Sequence, residues 1–320
     1  MNEFEFINTI KQNAYRQPSL IKGIGDDAAV FRQSSQDVVT AMDTFVEHVH
    51  FSKQTMSPSD IGYRVLAANL SDMAAMGAEP AFYLVSIVVG DHWKKNELQD
   101  IFKGMQELAK QYSIDLIGGD TVSGHELSIT VTVIGYVIKE RARFRSAARD
   151  GDVVFVTGTL GDAAAGLHMC LHPGEYKDKH HFIRKHIRPE PRIAFARALT
   201  SLDRVALNDI SDGIANEAYE IADASNVTVH LYNDKIPRHS GLKQFRASDV
   251  HNWVYFGGED FELVGTVPEK DWEKVMTASE QTSVPVTKIG YISADNETGV
   301  VYLHDQDEVI RLGQFGYHHF

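Results

Sequence analysis

The sequence predicts a two-domain α/β protein. Three observations carry that expectation. Runs of β-branched and aromatic residues alternate with segments of helical periodicity along all 320 residues. The composition shifts once, at the basic stretch KERARFRSAARDGD beginning at Lys139, and a new strand, turn and helix pattern starts after it. The length suits two domains of ordinary size. The boundary is placed near residue 147, giving domains of residues 1–147 and 148–320.

In the first domain, residues 3–15 are compatible with a short helix, and 37–43 (DVVTAMD) read as a strand ending on Asp43. A helix is expected over 58–76, opened by the capping candidates of SPSD and stopped at Gly77, with Pro80 beyond. Residues 81–89 (AFYLVSIVV) read as a strand. Leu98, Ile101, Met105 and Leu108 give the helical period of a second helix over 94–112. IDLIGGD reads as a short strand running into a glycine turn, and LSITVTVIGYV as a long strand. In the second domain, DVVFVTGTLGDAAAGLHMC reads as strand, glycine turn and helix. Residues 174–190, rich in His and Lys, read as a surface excursion. RVALNDISDGIANEAYEIADAS follows as strand, acidic turn and helix, and YFGGEDFELVGTVP as a glycine turn into a strand.

Lys and Arg total 31 against 44 Asp and Glu, a net charge of 31 − 44 = −13 that argues against nucleic acid or an anionic membrane as the main partner. Any phosphorylated ligand then needs a local positive charge. Cys170 is the one cysteine, so no intrachain disulfide forms. MNEFEFINTI lacks the basic-then-apolar order of a signal peptide, and no apolar run approaches a membrane span, so a cytoplasmic protein is expected.

Acidic residues recur at glycine turns, strand ends and helix starts: Asp26 and Asp27 in GIGDD, Asp43, Asp120 in GGDT, Asp209 and Asp212 in NDISDG, Glu259 and Asp260 in GGED. Turn and capping chemistry explains any one of them, and Asp212 suits the N-cap of the helix after it. Asp72 is different. Ile61, Val65, Ala68 and Asp72 share one helical stripe, which turns this carboxylate inward, where it needs a partner Arg, water or a cation. The surplus of aspartates favours a cation, and Mg²⁺ suits carboxylate, water and phosphate oxygens together.

Other patterns lead less far. Gly23, Gly25 and Ala28 fit G-x-G-x-x-A, but the upstream segment contains a proline and the downstream one reads as extended. No G-x-x-x-x-G-K-[ST] and no G-x-S-x-G occurs. TGTLGDAAAG either cradles an anion or packs tightly between strand and helix. His48 and His50 would share one face of a strand, without the spacing of a zinc site. The arginines at 141–149 form a solvated linker or supply the fixed charge that a phosphate wants.

GIGDDAAV, MDTFVEHVHF, AANLSDMAAMGAEP, IGGDT, VTGTLGDAAAGL, DISDG, GGEDFEL and the closing GYHHF, in this order, resemble the thiamine-monophosphate kinase family over nearly the whole chain. The wider superfamily includes aminoimidazole ribonucleotide synthetase, selenophosphate synthetase and a hydrogenase maturation factor. The resemblance implies an aminoimidazole ribonucleotide synthetase-like fold, with an N-terminal mixed sheet and helices that dimerise and a C-terminal α/β domain completing the active site. It implies transfer of the γ-phosphoryl group of ATP to thiamine monophosphate, with several Mg²⁺ ions. Asp27, Asp43, Asp72, Asp120, Asp209 and Asp212 would be metal ligands. Gly119, Asp120, Arg145 and Ser211 would contact ATP. His50 and Glu259 would lie at the thiamine phosphate, with Phe315 or Tyr317 packing on the thiamine. No catalytic base is implied. Ala41 and Met42 stand where relatives often carry Ser or Thr before the second motif's Asp, which leaves backbone carbonyls or a weaker metal site there. The rival readings are another ATP-dependent enzyme of the superfamily and a non-catalytic cation or nucleotide-binding module.

Overall fold

The structure, a computed structural model, describes residues 20–22, 26, 29–32, 35–294 and 297–313. The helix expected over 3–15, most of GIGDDAAV including Asp27, and the tail aromatics Phe315 and Tyr317 lie outside the described residues.

Six strands form the first sheet: β1 (Leu20–Lys22), β2 (Ala29–Arg32), β3 (Gln36–Val46), β4 (Glu79–Gly90), β5 (Asp115–Gly124) and β6 (Ser128–Ile138). Their spatial order is β1-β2-β3-β6-β4-β5. Every pair is antiparallel except β4 with β5. A parallel pair needs a crossover, which helix α2 (Lys95–Tyr112) supplies. Helix α1 (Pro58–Ala75) starts at Ser57, whose hydroxyl accepts from the Asp60 amide at 3.2 Å, with Pro58 at the first helical position. Ile61, Leu66, Leu70 and Met73 of α1 and Ile101, Met105 and Leu108 of α2 are buried with Val39, Val85, Ile129 and Val131 of the sheet in one core.

The second sheet runs β13-β12-β9-β11-β7-β10-β8. Its strands are β7 (Asp152–Thr157), β8 (Ala206–Asp209), β9 (Thr228–Tyr232), β10 (Leu263–Pro268), β11 (Val286–Ser293), β12 (Val300–Asp305) and β13 (Glu308–Leu312). The helices of this half are α3 (Asp162–Leu171), α4 (Lys179–Ile187), α5 (Ile193–Ala198), α6 (Ile214–Ser225), α7 (Ala247–Phe256) and α8 (Trp272–Thr282). DVVFVT of β7 is apolar without alternation because both of its faces are buried. Val153 and Phe155 join the core that continues into α1 and the first sheet, while Val154 and Val156 join a second core with Ile214, Ala218 and Ile221 of α6. The two halves therefore share apolar packing.

Several sequence expectations need correction. IDLIGGD does not end in a turn: β5 continues through Gly118, Gly119 and Asp120, pairing Gly119 with Val85 of β4. A Cβ on Gly119 would lie 1.9 Å from the Val85 carbonyl oxygen, so this glycine serves close strand approach. Residues 174–190 are no mere excursion, since α4 buries Phe182 and His186. The arginine-rich stretch is not simply a solvated linker. Arg143 is buried, and its Nη2 donates to the carbonyls of Leu199 at 2.6 Å and Leu202 at 3.0 Å. His48 and His50 leave the strand pattern: β3 ends at Val46, and His48 has φ 67° in the turn that follows. Among the described residues, no helix is long and apolar enough to cross a membrane.

Helices α1 and α2 meet backbone to backbone. A Cβ on Gly62 would lie 1.8 Å from the Ile101 oxygen, and one on Gly104 would lie 1.8 Å from the Ser59 oxygen. Alanine ordinarily gains about 1 kcal/mol over glycine within a helix, but a rigid backbone in the way outweighs that gain. Gly62→Ala or Gly104→Ala is expected to lower stability by about 1–3 kcal/mol in denaturant unfolding. An unchanged midpoint would contradict the close helix contact.

Candidate active site

The acidic side chains are organised by four consecutive residues of α1, Asn69-Leu70-Ser71-Asp72. Asn69 is buried; its Nδ2 donates to the Val65 carbonyl at 3.0 Å, and its Oδ1 accepts from the Asp43 amide at 3.1 Å. Ser71 donates its hydroxyl to Asp209 at 2.7 Å, across the two halves of the chain. The Asp72 carboxyl shares a hydrogen bond with Asp43. One helix thus fixes an acid toward the C-terminal end of β3 and another at the end of β8.

Desolvation shows in their acidity. Burial pushes the Asp43 carboxyl up to about 6, against the opposing hydrogen bond with Asp72. Burial likewise pushes Asp209 up to about 6; the Ser71 hydrogen bond and Arg145 oppose this, while Asp43 and Glu220 add to it.

Asp212 stands in the turn after Asp209 but does not cap α6. Gly213 holds the N-cap position with φ 95°, and no side chain caps the helix. Glu217 of the first turn reaches back instead, accepting from the Asp212 amide at 3.1 Å and the Ser211 hydroxyl at 3.2 Å. Glu217 is buried, and burial with the nearby Glu220 holds its carboxyl well above the usual range. Asn208 donates to Glu217 at 2.5 Å and Glu220 at 3.1 Å. Arg145 completes this layer through Asn208 at 3.0 Å and Glu220 at 2.9 Å. Its backbone amide donates to Asp26 at 3.3 Å.

Next to these residues lies a cavity of about 650 Å³ lined from both halves. Asp43, His50, Asp72, Asp209, Ser211, Asp212 and Glu259, all proposed from sequence, line it. His50 is set by a hydrogen bond from the Val46 amide to its Nδ1 at 3.1 Å and by edge contact with Phe45 at 5.4 Å. Gly119, Asp120 and Arg145 are not in the lining. Gly119 and Asp120 stand on the exposed strand β5, where Asp120 accepts from the Thr121 amide at 2.9 Å. Among the described residues, no three His, Cys, Asp or Glu side chains are grouped so that they could hold a metal ion by themselves.

Part of the lining was not anticipated from sequence. Leu167, His168 and Leu171 of α3, the C-cap residue His172 and Trp253 of α7 supply it. His168 stacks on His172 with ring centroids 4.4 Å apart and lies 5.3 Å from Trp253. Burial and the neighbouring His172 depress the His168 pKa, which favours an uncharged ring. The helical spacing of His168 and His172 was a usable signal, but Trp253 comes from a distant segment.

TGTLGDAAAG offered either an anion cradle or tight packing. Asp260 occupies the helix start, accepting from the amides of Gly161 at 2.7 Å and Ala163 at 3.0 Å. The anion is the protein's own carboxylate, and it joins GGED to α3.

The AIR synthase related protein N-terminal domain matches residues 25–137, and the corresponding C-terminal domain matches residues 149–303. The chain is 44% identical over 327 aligned residues to the thiamine-monophosphate kinase of Bacillus subtilis (strain 168), covering 100% of both proteins. It resembles the solved structure of AaThiL complexed with AMPPCP and TMP, with a TM-score of 0.86 and 28% identity over 100% of this chain and 97% of that one. The thiamine-monophosphate kinase of Stenotrophomonas maltophilia K279a matches with a TM-score of 0.78 and 33% identity, covering 94% of this chain and 96% of its own. Matched from end to end at this level, the chain belongs to the thiamine-monophosphate kinase family of AIR synthase-related proteins.

Proposed function

We propose that the protein transfers the γ-phosphoryl group of ATP to thiamine monophosphate, forming thiamine diphosphate by direct in-line displacement. The observation that carries this reading is the cavity itself. Its lining gathers acids from both halves of the chain together with apolar and aromatic side chains. That arrangement suits an acceptor with a phosphate at one end and a flat heterocycle at the other. End-to-end similarity to a thiamine-monophosphate kinase favours it over the superfamily's other reactions.

The donor set fits Mg²⁺. Asp43 and Asp209 are acids whose burial favours protonation unless positive charge arrives, and Asp72 is hydrogen-bonded to one of them. An incomplete protein cage is what this ion ordinarily meets, because it takes one or two carboxylates and completes its shell with water and phosphate oxygens. Asp43, Asp72, Asp209 and Asp212 would hold it, with Asp120 and Asp27 the remaining candidates. When bound, it would neutralise the two phosphate chains and the charge spread over the transferring group.

The protein's own residues supply alignment. Asn69 and Ser71 fix Asp43 and Asp209 before substrate binds, so little reorganisation remains for the reaction. His50 and Glu259 border the cavity where the acceptor phosphate would sit. Arg145 lies behind Asn208 and Asp209 and offers fixed positive potential toward the nucleotide. No side chain has to act as base, since a phosphate monoester with a second pKa of about 6 is already largely an oxyanion at neutral pH. The division at residues 147 and 148 belongs to this reading, as does a homodimer formed through the first sheet. Leu116, Ile117 and Val122 of the edge strand β5 are exposed, and a second copy would cover them.

Incubation with ATP, Mg²⁺ and thiamine monophosphate is expected to yield thiamine diphosphate and ADP in equal amounts; ADP without thiamine diphosphate would overturn the assignment. Asp72→Asn is expected to lower turnover by about 10²-fold or more while leaving the melting temperature near that of the parent protein. Near-normal turnover at saturating Mg²⁺ would remove Asp72 from the metal site. Ile117→Lys is expected to shift the protein from dimer to monomer in light scattering, and an unchanged mass would place any interface elsewhere.

A further inference from the structure

Helix α1 carries a second buried charge. Arg64 is only 1% exposed and ranks among the largest fully buried side chains. Ala68 and Asp72 follow it at successive i+4 steps, and both line the cavity. Arg64 therefore lies one helical turn beyond the cavity, on nearly the same stripe.

Its guanidinium reaches two elements of the second half. Nη1 donates to the main-chain oxygen of His186 and lies 3.0 Å from that residue's Nδ1. Burial and Arg64 itself lower the His186 pKa to about 2, so this imidazole is an uncharged neighbour. Nη2 faces the Glu259 carboxylate as an ion pair. The guanidinium carbon stands 6.0 Å from the Phe261 ring. Nε and Nη2 have no hydrogen-bond partner among the described residues, so Glu259 meets Nη2 as an opposite charge rather than through an aligned hydrogen bond. A buried cation held this way depends on its carboxylate.

That carboxylate belongs to a strained turn. Glu259 has φ 73° and Phe261 has φ 49°, conformations that L residues adopt at a cost. The Glu259 amide donates to the Ser211 carbonyl at 2.7 Å, and the Phe261 amide to the Ile210 carbonyl at 2.9 Å. Asp260 is tied to the start of α3. These three ties all stay within the second half, whereas the Arg64 ion pair crosses from the first half to a side chain that lines the cavity.

We infer that Arg64 is a positioning residue for the acceptor, holding Glu259 at the cavity wall and setting the register of the two halves there. The inference rests on the function proposed above. Arg64 does not itself line the cavity, so its effect passes through Glu259. Lysine in its place keeps the charge but cannot reach His186 and Glu259 together, because it lacks the planar fork.

Steady-state kinetics of Arg64→Ala and Arg64→Lys, with both substrates varied and melting temperatures recorded, test this. Arg64→Ala is expected to raise the KM for thiamine monophosphate about tenfold or more while the KM for ATP stays within about twofold, with Arg64→Lys intermediate. Unchanged KM values, or two that rise together, would overturn the inference. Should Arg64→Ala fail to fold, Arg64→Lys decides: a raised acceptor KM supports positioning, and a parental value overturns it. If the unmodified protein forms no thiamine diphosphate, the proposed function falls and takes this inference with it. An active parent with an unaffected variant removes the inference alone.

Discussion

Asp43, Asp72, Asp209 and Asp212 border one cavity, and the deepest of them are kept from water by the same packing that joins the two halves. Asp43 and Asp209 would be more easily ionised in solvent, and Asp43 adds to the cost of ionising Asp209. The fold holds Asp43 and Asp209 there through the Asn69 to Asp72 segment of α1, in which Asn69 and Asp72 engage β3 and Ser71 engages β8. Such a site is unfavourable until positive charge arrives. In the proposed reaction that charge comes with the nucleotide, so the cost of assembling the acids is offset when both substrates are present. In that reading preorganisation supplies alignment, while the already ionised acceptor phosphate removes the need for a general base.

The placement of the cavity follows from how the halves meet. Strand β7 presents one face to each core, so the first sheet's helices and the second sheet are packed as one body along this seam. Arg143 reinforces it from the connecting stretch, bonded to carbonyls beyond α5. Helix α4 reinforces it from the other side, with Arg188 bonded to Asp60 at 2.6 Å and Glu107 at 2.7 Å. Within the second half, Glu262 is buried and accepts from Lys185 at 2.9 Å, Arg192 at 2.5 Å and Thr157 at 2.7 Å, and these cations drive its pKa down to about 2 despite burial. The GGED turn next to it is thus braced by charge on both sides, which keeps Glu259 at the cavity.

Much of this was legible in the sequence because local pattern and tertiary role coincide. The stripe from Ile61 to Asp72 turned an acid inward, and the two helices described in the first half lie within a residue or so of their expected bounds. The failures share a cause: a residue's local preference yielded to a distant neighbour. Gly118 and Gly119 look like a turn but sit within β5, where β4 comes too close for a side chain at Gly119. Asp212 looks like a cap, yet Gly213 takes that position and Glu217 satisfies the turn. The basic letters of 179–187 hide the buried Phe182 and His186. In GIGDD, Asp26 accepts from the Arg145 amide across the fold. No periodicity could have announced that contact.

The central claim is that acids from both halves of the chain hold divalent cations between two anionic substrates. Crystals grown with Mn²⁺, a non-hydrolysable ATP analogue and thiamine monophosphate, read by anomalous scattering, address it most directly. The account predicts anomalous peaks about 2.1 Å from carboxylate oxygens of Asp43, Asp72, Asp209 or Asp212, each also touching a phosphate oxygen. Peaks bound only to nucleotide and water, with those carboxylates turned away, would contradict it.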